Sequence, residues 1–338
     1  MQWCRHAAGV AAFGALALLA VSAVADEAPR FDLPVACPAD AGCIVRSFVD
    51  EDPGPGAKDW HCGRLTYDGH KGTDIRVPDG VAMAKGIQVL AAASGTVLRL
   101  RDGMADVSIR VTGADAVKDR EAGNSVIIDH GNGWETQYGH LRKGSIMVKP
   151  GQAVTAGQPI ALMGLSGNTE FTHTHFEVRH DGQPIDPYTG ADMGTGCGAP
   201  GTPLWTTRAL AALAYREDAP FDAGFAGARP DQWAAYAGAY AGVRLTVDSP
   251  ALVFWVAVLG HRAGDRQSTR LIGPDGAMLT EAADTVNEGR IQWFQFVGTK
   301  RPPGGWPAGS YRGEYHLTRD VDGQAKIIID IKREIQVR

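Results

Sequence analysis

The 338-residue chain is predicted to be all-β over nearly its whole length, and three features of the sequence say so. Between Val89 and Met163, short apolar and β-branched runs alternate with turn residues, and helical periodicity is weak. Thr172 to Val178 reads as a strand of β-branched and aromatic residues, bounded by Gly167-Asn168 and Asp181-Gly182. Beyond Gly242, about seven β-rich runs are separated by turns such as Gly273-Pro274-Asp275-Gly276 and Asp322-Gly323. Over about 100 residues this is the pattern of an Ig-like sandwich.

Taken in order, residues 1–25 combine Arg5, an apolar run from Ala7 to Val24, and small residues at Ala23 and Ala25 ahead of Asp26. This is a secretory signal peptide with an A-x-A cleavage site, too short and wrongly flanked for a membrane span; an uncleaved anchor is the competing reading. The expected product is exported, to the periplasm or the extracellular space, with no stable membrane span after cleavage. Cys4 precedes the apolar run, which argues against lipidation there. Loss of Arg5 takes the formal charge from −5 to −6, with 32 basic against 38 acidic side chains. That mild acidic balance argues against a nucleic-acid partner.

Cys37, Cys43, Cys62 and Cys197 remain, and an even count in an exported chain predicts two disulfides with three possible connectivities. The favoured pairing is Cys37 with Cys43 and Cys62 with Cys197, since the second ties the chain just before His70 to the chain just after the first domain. Four free thiols fit an oxidising compartment less well, and the spacing is irregular for a Cys-based zinc site.

About 310 mature residues favour two domains over one. Residues 26–60, with Cys37-Pro38 and Asp52-Pro53-Gly54-Pro55-Gly56, read as an irregular extension wrapped on the first domain, or alternatively as a propeptide. Strands follow at Val89–Ala93, Gly95–Leu100, Asn124–Asp129, Glu135–His140, around Val154, and at Pro159–Met163, with a long segment from about Met104 to Gly123 expected as an extra loop over the cleft. The repeated spacing of Gly151-Gln152 and Gly157-Gln158 resembles lipoyl-type hairpins, but no lysine stands at a tip as a carrier domain requires. The first domain is placed at 61–200, a linker with a possible helix at Thr206–Tyr215 occupies 201–241, and the Ig-like sandwich spans 242–338.

The chemistry centres on Thr172 to Val178. Side chains two apart on a strand share a face, so His173 and His175 project together onto one small object, a metal ion. A catalytic zinc usually takes three protein ligands and keeps one position open. His70 and Asp74, four apart around Gly72, supply further ligands, and His140 is a fifth group. Five groups exceed the requirement and leave two histidines for proton transfer. His61, His130, His180, His261 and His316 form no such spacing and read as surface or structural residues.

His-x-Gly-x-Asp (His70, Gly72, Asp74), Tyr-x-His-Leu (Tyr138, His140, Leu141) and His-x-His-Phe-Glu-Val-Arg (His173 to Arg179), in that order, resemble the lysostaphin/LytM-type zinc metallopeptidases of family M23 over roughly Gly69 to Tyr188. The resemblance implies a LytM/lipoyl-like antiparallel catalytic domain, a barrel-sandwich hybrid. It implies Zn²⁺ on His70, Asp74 and His175, with His140 and His173 flanking the attacking water and the developing oxyanion. It also implies a zinc endopeptidase acting on peptidoglycan peptide; the alternative is a non-catalytic wall-binding regulator, and such proteins lack one or more of the five residues. Glu170-Phe171-Thr172 departs from the Gly-Pro often found before His-x-His, which bears on the groove wall rather than the metal. Glu177, one strand step beyond His175, is a candidate for orienting a ligand histidine, or a strand-surface ion pair.

Overall fold

The structure, a computed structural model, describes Met1, residues 27–37 and residues 42–338. The expected signal peptide at 1–25 lies outside the described residues apart from Met1. Among the described residues no helix is long and apolar enough to cross a membrane.

The first unit is antiparallel β. Its strands are β1 (Ile44–Ser47), β2 (Thr73–Arg76), β3 (Gln88–Leu90), β4 (Gly95–Arg101), β5 (Asn124–Gly131), β6 (Trp134–Leu141), β7 (Ala153–Val154), β8 (Pro159–Leu162), β9 (His173–His180) and β10 (Gln183–Ile185). The main sheet runs β1-β2-β9-β6-β5-β4-β7 with β10 also on β9, and β3 pairs with β8 separately. Among the described residues the end strands β1 and β7 do not pair with each other, so the sheet is open. Asp181-Gly182, with φ of 49° and 81°, turns β9 into β10; both φ are positive, as the tight hairpin turn that matches strand twist demands.

Period-two alternation divides the faces of this sheet. Ile75, Val126, Ile128, Tyr138, Phe176 and Val178 point inward and are buried in one core with Val89, Ile160 and Ala161 from the β3–β8 pair. Asp74 pairs with His175 and Arg76 with His173 across β2 and β9, which puts these four side chains on the opposite face. The segment between β4 and β5 holds a helical turn α1 (Ile109–Thr112) and a 3₁₀ turn at Ala114–Val117. It packs behind the 166–170 loop through Ile109 N–H to Thr169 O, and only its end, at Glu121 and Ala122, lines the cleft.

Phe31, Val35, Val45 and Phe48 of the extension belong to the core. Phe31 is fully buried against Phe176, and the backbone of residues 31–36 bonds to Leu204, Ala92 and Gln88. None of its described residues lines the cleft. Cys37 is bonded to Cys43 and Cys62 to Cys197, with Cα separations of 6.0 and 5.0 Å.

The stretch 201–241, read from the sequence as a linker, carries more structure than expected. Thr206 caps a short helix at Thr207–Ala212 through its side chain to Ala209 N–H. Strand β11 (Ala219–Ala226) then joins the C-terminal sheets, which continue with β12 (Ala251–Leu259), β13 (Arg266–Ile272), β14 (Met278–Thr285), β15 (Gln292–Lys300), β16 (Gly309–Val321) and β17 (Gln324–Val337). One sheet is β11-β12-β15 and the other β14-β13-β16-β17. Phe225, Phe254, Val256 and Val258 of the first pack with Leu271, Tyr315, Leu317 and Ile331 of the second in a common core. The sequence around Ala219 lacks clean alternation because both faces of β11 are covered: Phe225 meets this core, while Phe221 packs with Tyr236 and Trp255 on the other side.

The two units meet at Arg76. Its guanidinium is fully buried with no hydrogen-bond partner, and lies 4.1 Å from the Phe171 ring centre, 3.8 Å from Phe221 and 4.8 Å from Tyr236. Stacking on three rings offsets part of the cost of burying that charge.

Candidate metal centre

His70, Asp74 and His175 converge so that one ligand atom from each lies within 4.8 Å of the other two. The contacts are closer still: His70 Nε2 to Asp74 Oδ1 is 3.2 Å, His175 Nδ1 to Asp74 Oδ1 is 2.9 Å, and His70 Nε2 to His175 Nδ1 is 3.3 Å. A tetrahedral zinc with bonds of about 2.0–2.1 Å holds its ligand atoms about 3.3 Å apart. This donor set of two imidazoles and one carboxylate therefore fits Zn²⁺ in both chemistry and spacing.

Gly72 lets the ligands approach. A Cβ there would lie 2.5 Å from Phe176 O and 2.8 Å from two atoms of the His175 ring, so any side chain would push β9 or its imidazole away. That is the physical content of His-x-Gly-x-Asp.

His140 reaches the cleft by a local departure from the strand pattern. Strict alternation along β6 would send it inward with Thr136 and Tyr138. Instead Asn124 faces Leu141 while Val126 faces Tyr138, so Ser125 opposes both Gly139 and His140, a β-bulge. With φ of 56°, His140 turns to the cleft side and Leu141 takes the buried inward position. A left-handed backbone at a non-glycine residue costs on the order of 1–2 kcal/mol, here held by His140 N–H to Ala122 O at 2.8 Å.

Three of the four histidines are oriented alike. His70 Nδ1 donates to Phe48 O at 2.6 Å, His140 Nδ1 to Ser166 O at 2.7 Å, and His173 Nδ1 to Phe171 O at 3.0 Å. Carbonyl oxygens only accept, so each Nδ1 carries the proton and each Nε2 presents a lone pair. His173 Nε2 is 3.5 Å from Asp74 Oδ1, and the His140 and His173 ring centres are 4.5 Å apart. His175 is inverted: its Nδ1 faces Asp74, and its Nε2 is 3.5 Å from Glu177 Oε2, whose other oxygen accepts from Arg179 Nε at 2.8 Å. The carboxylate behind a ligand imidazole fixes its ring orientation.

These contacts set the charges of the cluster. Burial opposes charge on Asp74, yet His70 and His173 hold its carboxyl well below the ordinary range. Burial likewise opposes charge on His175, but hydrogen bonds to Asp74 and Glu177 push it up to about 9. Burial, then His173 and His175, hold His140 well below the usual histidine value, so it is neutral.

The cleft has a volume of about 540 Å³ and is lined also by Arg179, the last residue of the His-x-His motif, and by Tyr67, Lys71, Gln137 and Asn168, none of which the sequence motifs singled out. Tyr67 lies over His70 with ring centres 4.4 Å apart, and its position three residues before His70 was the one available cue. Of the histidines set aside, His130 bonds Ser94 O and Thr136 Oγ1, His261 bonds Tyr315 Oη, and His180 stacks on Trp134, all away from the centre.

Residues 68–187 match the family model described as Peptidase family M23. A lipoprotein NlpD/LppB homolog of Pseudomonas aeruginosa is 37% identical over 127 residues, 37% of this chain and 35% of that protein. The peptidoglycan DD-endopeptidase ShyB of Vibrio cholerae is 35% identical over 117 residues, 35% of this chain and 22% of that one. The murein hydrolase activator NlpD of Escherichia coli is 33% identical over 119 residues, 35% of this chain and 25% of that protein. The chain thus spans between about a fifth and about a third of the length of these relatives, and the likeness is confined to the unit that holds the cluster.

Proposed function

We propose that the M23 peptidase domain formed by residues 68–187 makes this chain an exported zinc endopeptidase that hydrolyses peptide bonds in peptidoglycan stem peptides or cross-links. The single observation that carries the reading is the presence of five chemically competent side chains on one cleft: a ligand triangle of His70, Asp74 and His175, with His140 and His173 beside it. A wall-binding regulator needs no such complete set.

His70 Nε2, Asp74 Oδ1 and His175 Nδ1 hold the metal in this proposal. Zinc supplies Lewis acidity, polarising the scissile carbonyl and making water acidic enough to attack near neutral pH. His173, with its Nδ1–H tied to Phe171 O, offers Nε2 to take a proton from the attacking water and return it to the leaving amine. His140, neutral and tied to Ser166 O, offers a second lone pair that orients the water. Of its two roles, orienting water or steadying an oxyanion, the tautomer favours the first. Glu177 holds His175 in the ligand orientation.

The finer architecture is part of the same proposal: a LytM/lipoyl-like barrel-sandwich hybrid for the catalytic unit, and an Ig-like sandwich at the C-terminus, supported by its two antiparallel sheets on one core. Export is supported by the leader-like sequence and the two disulfides. The test is digestion of isolated sacculi beside soluble proteins with zinc-loaded protein, scoring new amino termini. Release of peptides from sacculi alone supports the reading. No cleavage by zinc-loaded protein, with stimulation of a wall amidase instead, makes it a regulator.

A further inference from the structure

The metal cleft continues into a second hollow of about 580 Å³, because Ala122, Gln137, Arg179 and Gly182 line both. The strand registers give its direction. On the cleft face, Glu177 is opposite Gln137, Gln137 opposite Ile127, and Ile127 opposite Arg99; Arg101 lies one pleat along, opposite Ser125. The groove therefore crosses β9, β6, β5 and β4 at right angles to the strands. Three strand spacings of about 4.8 Å make it roughly 14 Å long, and an extended peptide at about 3.3 Å per residue covers that in about four residues. Near the metal its floor is low, made of Gly139, Ala122 and Ser125.

The far end is cationic. Arg99 and Arg101 stand there on β4, and Arg179 of β9 and one carboxylate, Glu135 of β6, line the same hollow. Arg179 is already committed to Glu177 and Gln137. Glu135 lies 3.7 Å from Arg99 and 3.8 Å from Arg179, so one charge is divided between two guanidiniums. Arg101 Nε donates to Gly123 O at 2.7 Å, which fixes the fork and leaves its two Nη groups without a protein acceptor among the described residues. Burial and then the nearby Arg120 disfavour its charge, against a smaller opposing pull from Glu121, with which it forms no hydrogen bond or ion pair among the described residues. A fixed guanidinium with free Nη groups is suited to a bidentate carboxylate.

We propose that Arg101, with Arg99, forms a carboxylate-binding subsite that selects peptides bearing a free carboxylate about four residues from the bond at the metal centre. This rests on the hydrolase reading for its orientation, but the test is built on binding so that the two can fail separately. Two acetylated alanine-glycine hexapeptides, one ending in a carboxylate and one in a carboxamide, are titrated into zinc-loaded full-length His173→Ala protein by calorimetry. The carboxylate form should bind about 10- to 100-fold more tightly, as charge-assisted bonds to a fixed guanidinium imply. The preference should fall to within twofold in the added double variant Arg99→Gln/Arg101→Gln, at unchanged zinc content. Arg99→Glu, on an exposed side chain whose one partner is the ion pair with Glu135, is the second arm and should reduce the preference at least threefold. Equal affinity for both peptides, affinity for neither, or a preference that survives both variants overturns the subsite. If the carboxylate form is preferred while wild-type protein cleaves neither peptide nor sacculi, the subsite stands and the hydrolase reading falls.

Discussion

His173 and His175 share one strand face two residues apart, yet removing each should have a different result. His175 Nδ1 lies 2.9 and 3.3 Å from the other two ligand atoms and closes the cluster with His70 and Asp74, whereas His173 is not part of that cluster: its Nε2 approaches Asp74 alone, at 3.5 Å, and its Nδ1 is anchored to Phe171 O. A zinc-site free energy on the order of 10–16 kcal/mol, shared among three protein ligands, is about 3–5 kcal/mol for each. His175→Ala should therefore weaken zinc about 10²- to 10⁴-fold and lose activity with the metal. His173→Ala should keep zinc within about threefold and lose about 10²- to 10⁴-fold in turnover, the usual worth of a positioned acid or base, equivalent to about 3–5 kcal/mol of barrier. His70→Ala and Asp74→Ala should follow His175→Ala, and His140→Ala should follow His173→Ala. The assay is zinc affinity by competition with a chromophoric chelator, beside kcat/KM on a soluble peptide for all five variants. If His173→Ala released zinc while His175→Ala retained it, the ligand triangle and the direction of water attack would both be reversed.

Three other outcomes are expected. Gly72→Ala drives a methyl to 2.5 Å from Phe176 O, so thermal melts should show a loss of about 1–3 kcal/mol and dialysis should show zinc lost with it; retained zinc would mean β9 can yield. Arg76→Met replaces an unpartnered buried charge by an apolar chain of similar length, and urea unfolding should find stability unchanged or raised by up to about 4 kcal/mol; a loss above about 2 kcal/mol would show that stacking on three rings outweighs desolvation. Glu51 is 1% exposed and burial pushes its carboxyl up to about 7 from 4.5. The folded state then holds a proton that the unfolded state releases, so its contribution is complete below about pH 4.5 and about 3 kcal/mol is lost as pH rises through 7. Glu51→Gln should flatten that slope in urea titrations from pH 4.5 to 8, and an unaltered slope would place the buried proton elsewhere.

The strands that carry the cluster were legible because their signals are local. Period-two alternation put Phe176 and Val178 inward and His173 and His175 outward, and Asp181-Gly182 and Asp322-Gly323 closed the hairpins at β9–β10 and β16–β17 where the sequence placed turns. His70 and Asp74 were legible from spacing, since four residues around a glycine can bring two ligands to one ion. His140 shows where such reasoning stops: alternation alone would bury it, and only a bulge opposite Ser125, fixed by partners distant in sequence, turns it into the cleft. Strand β11 was missed for a related reason, because a strand covered on both faces loses the alternation that would reveal it. The aromatic box around Arg76 and the cationic groove from Arg99 to Arg179 had no linear signal at all. Each joins residues from several strands whose neighbourhood is decided by sheet order, and a sequence read along one strand carries no information about which strand lies 4.8 Å to its side.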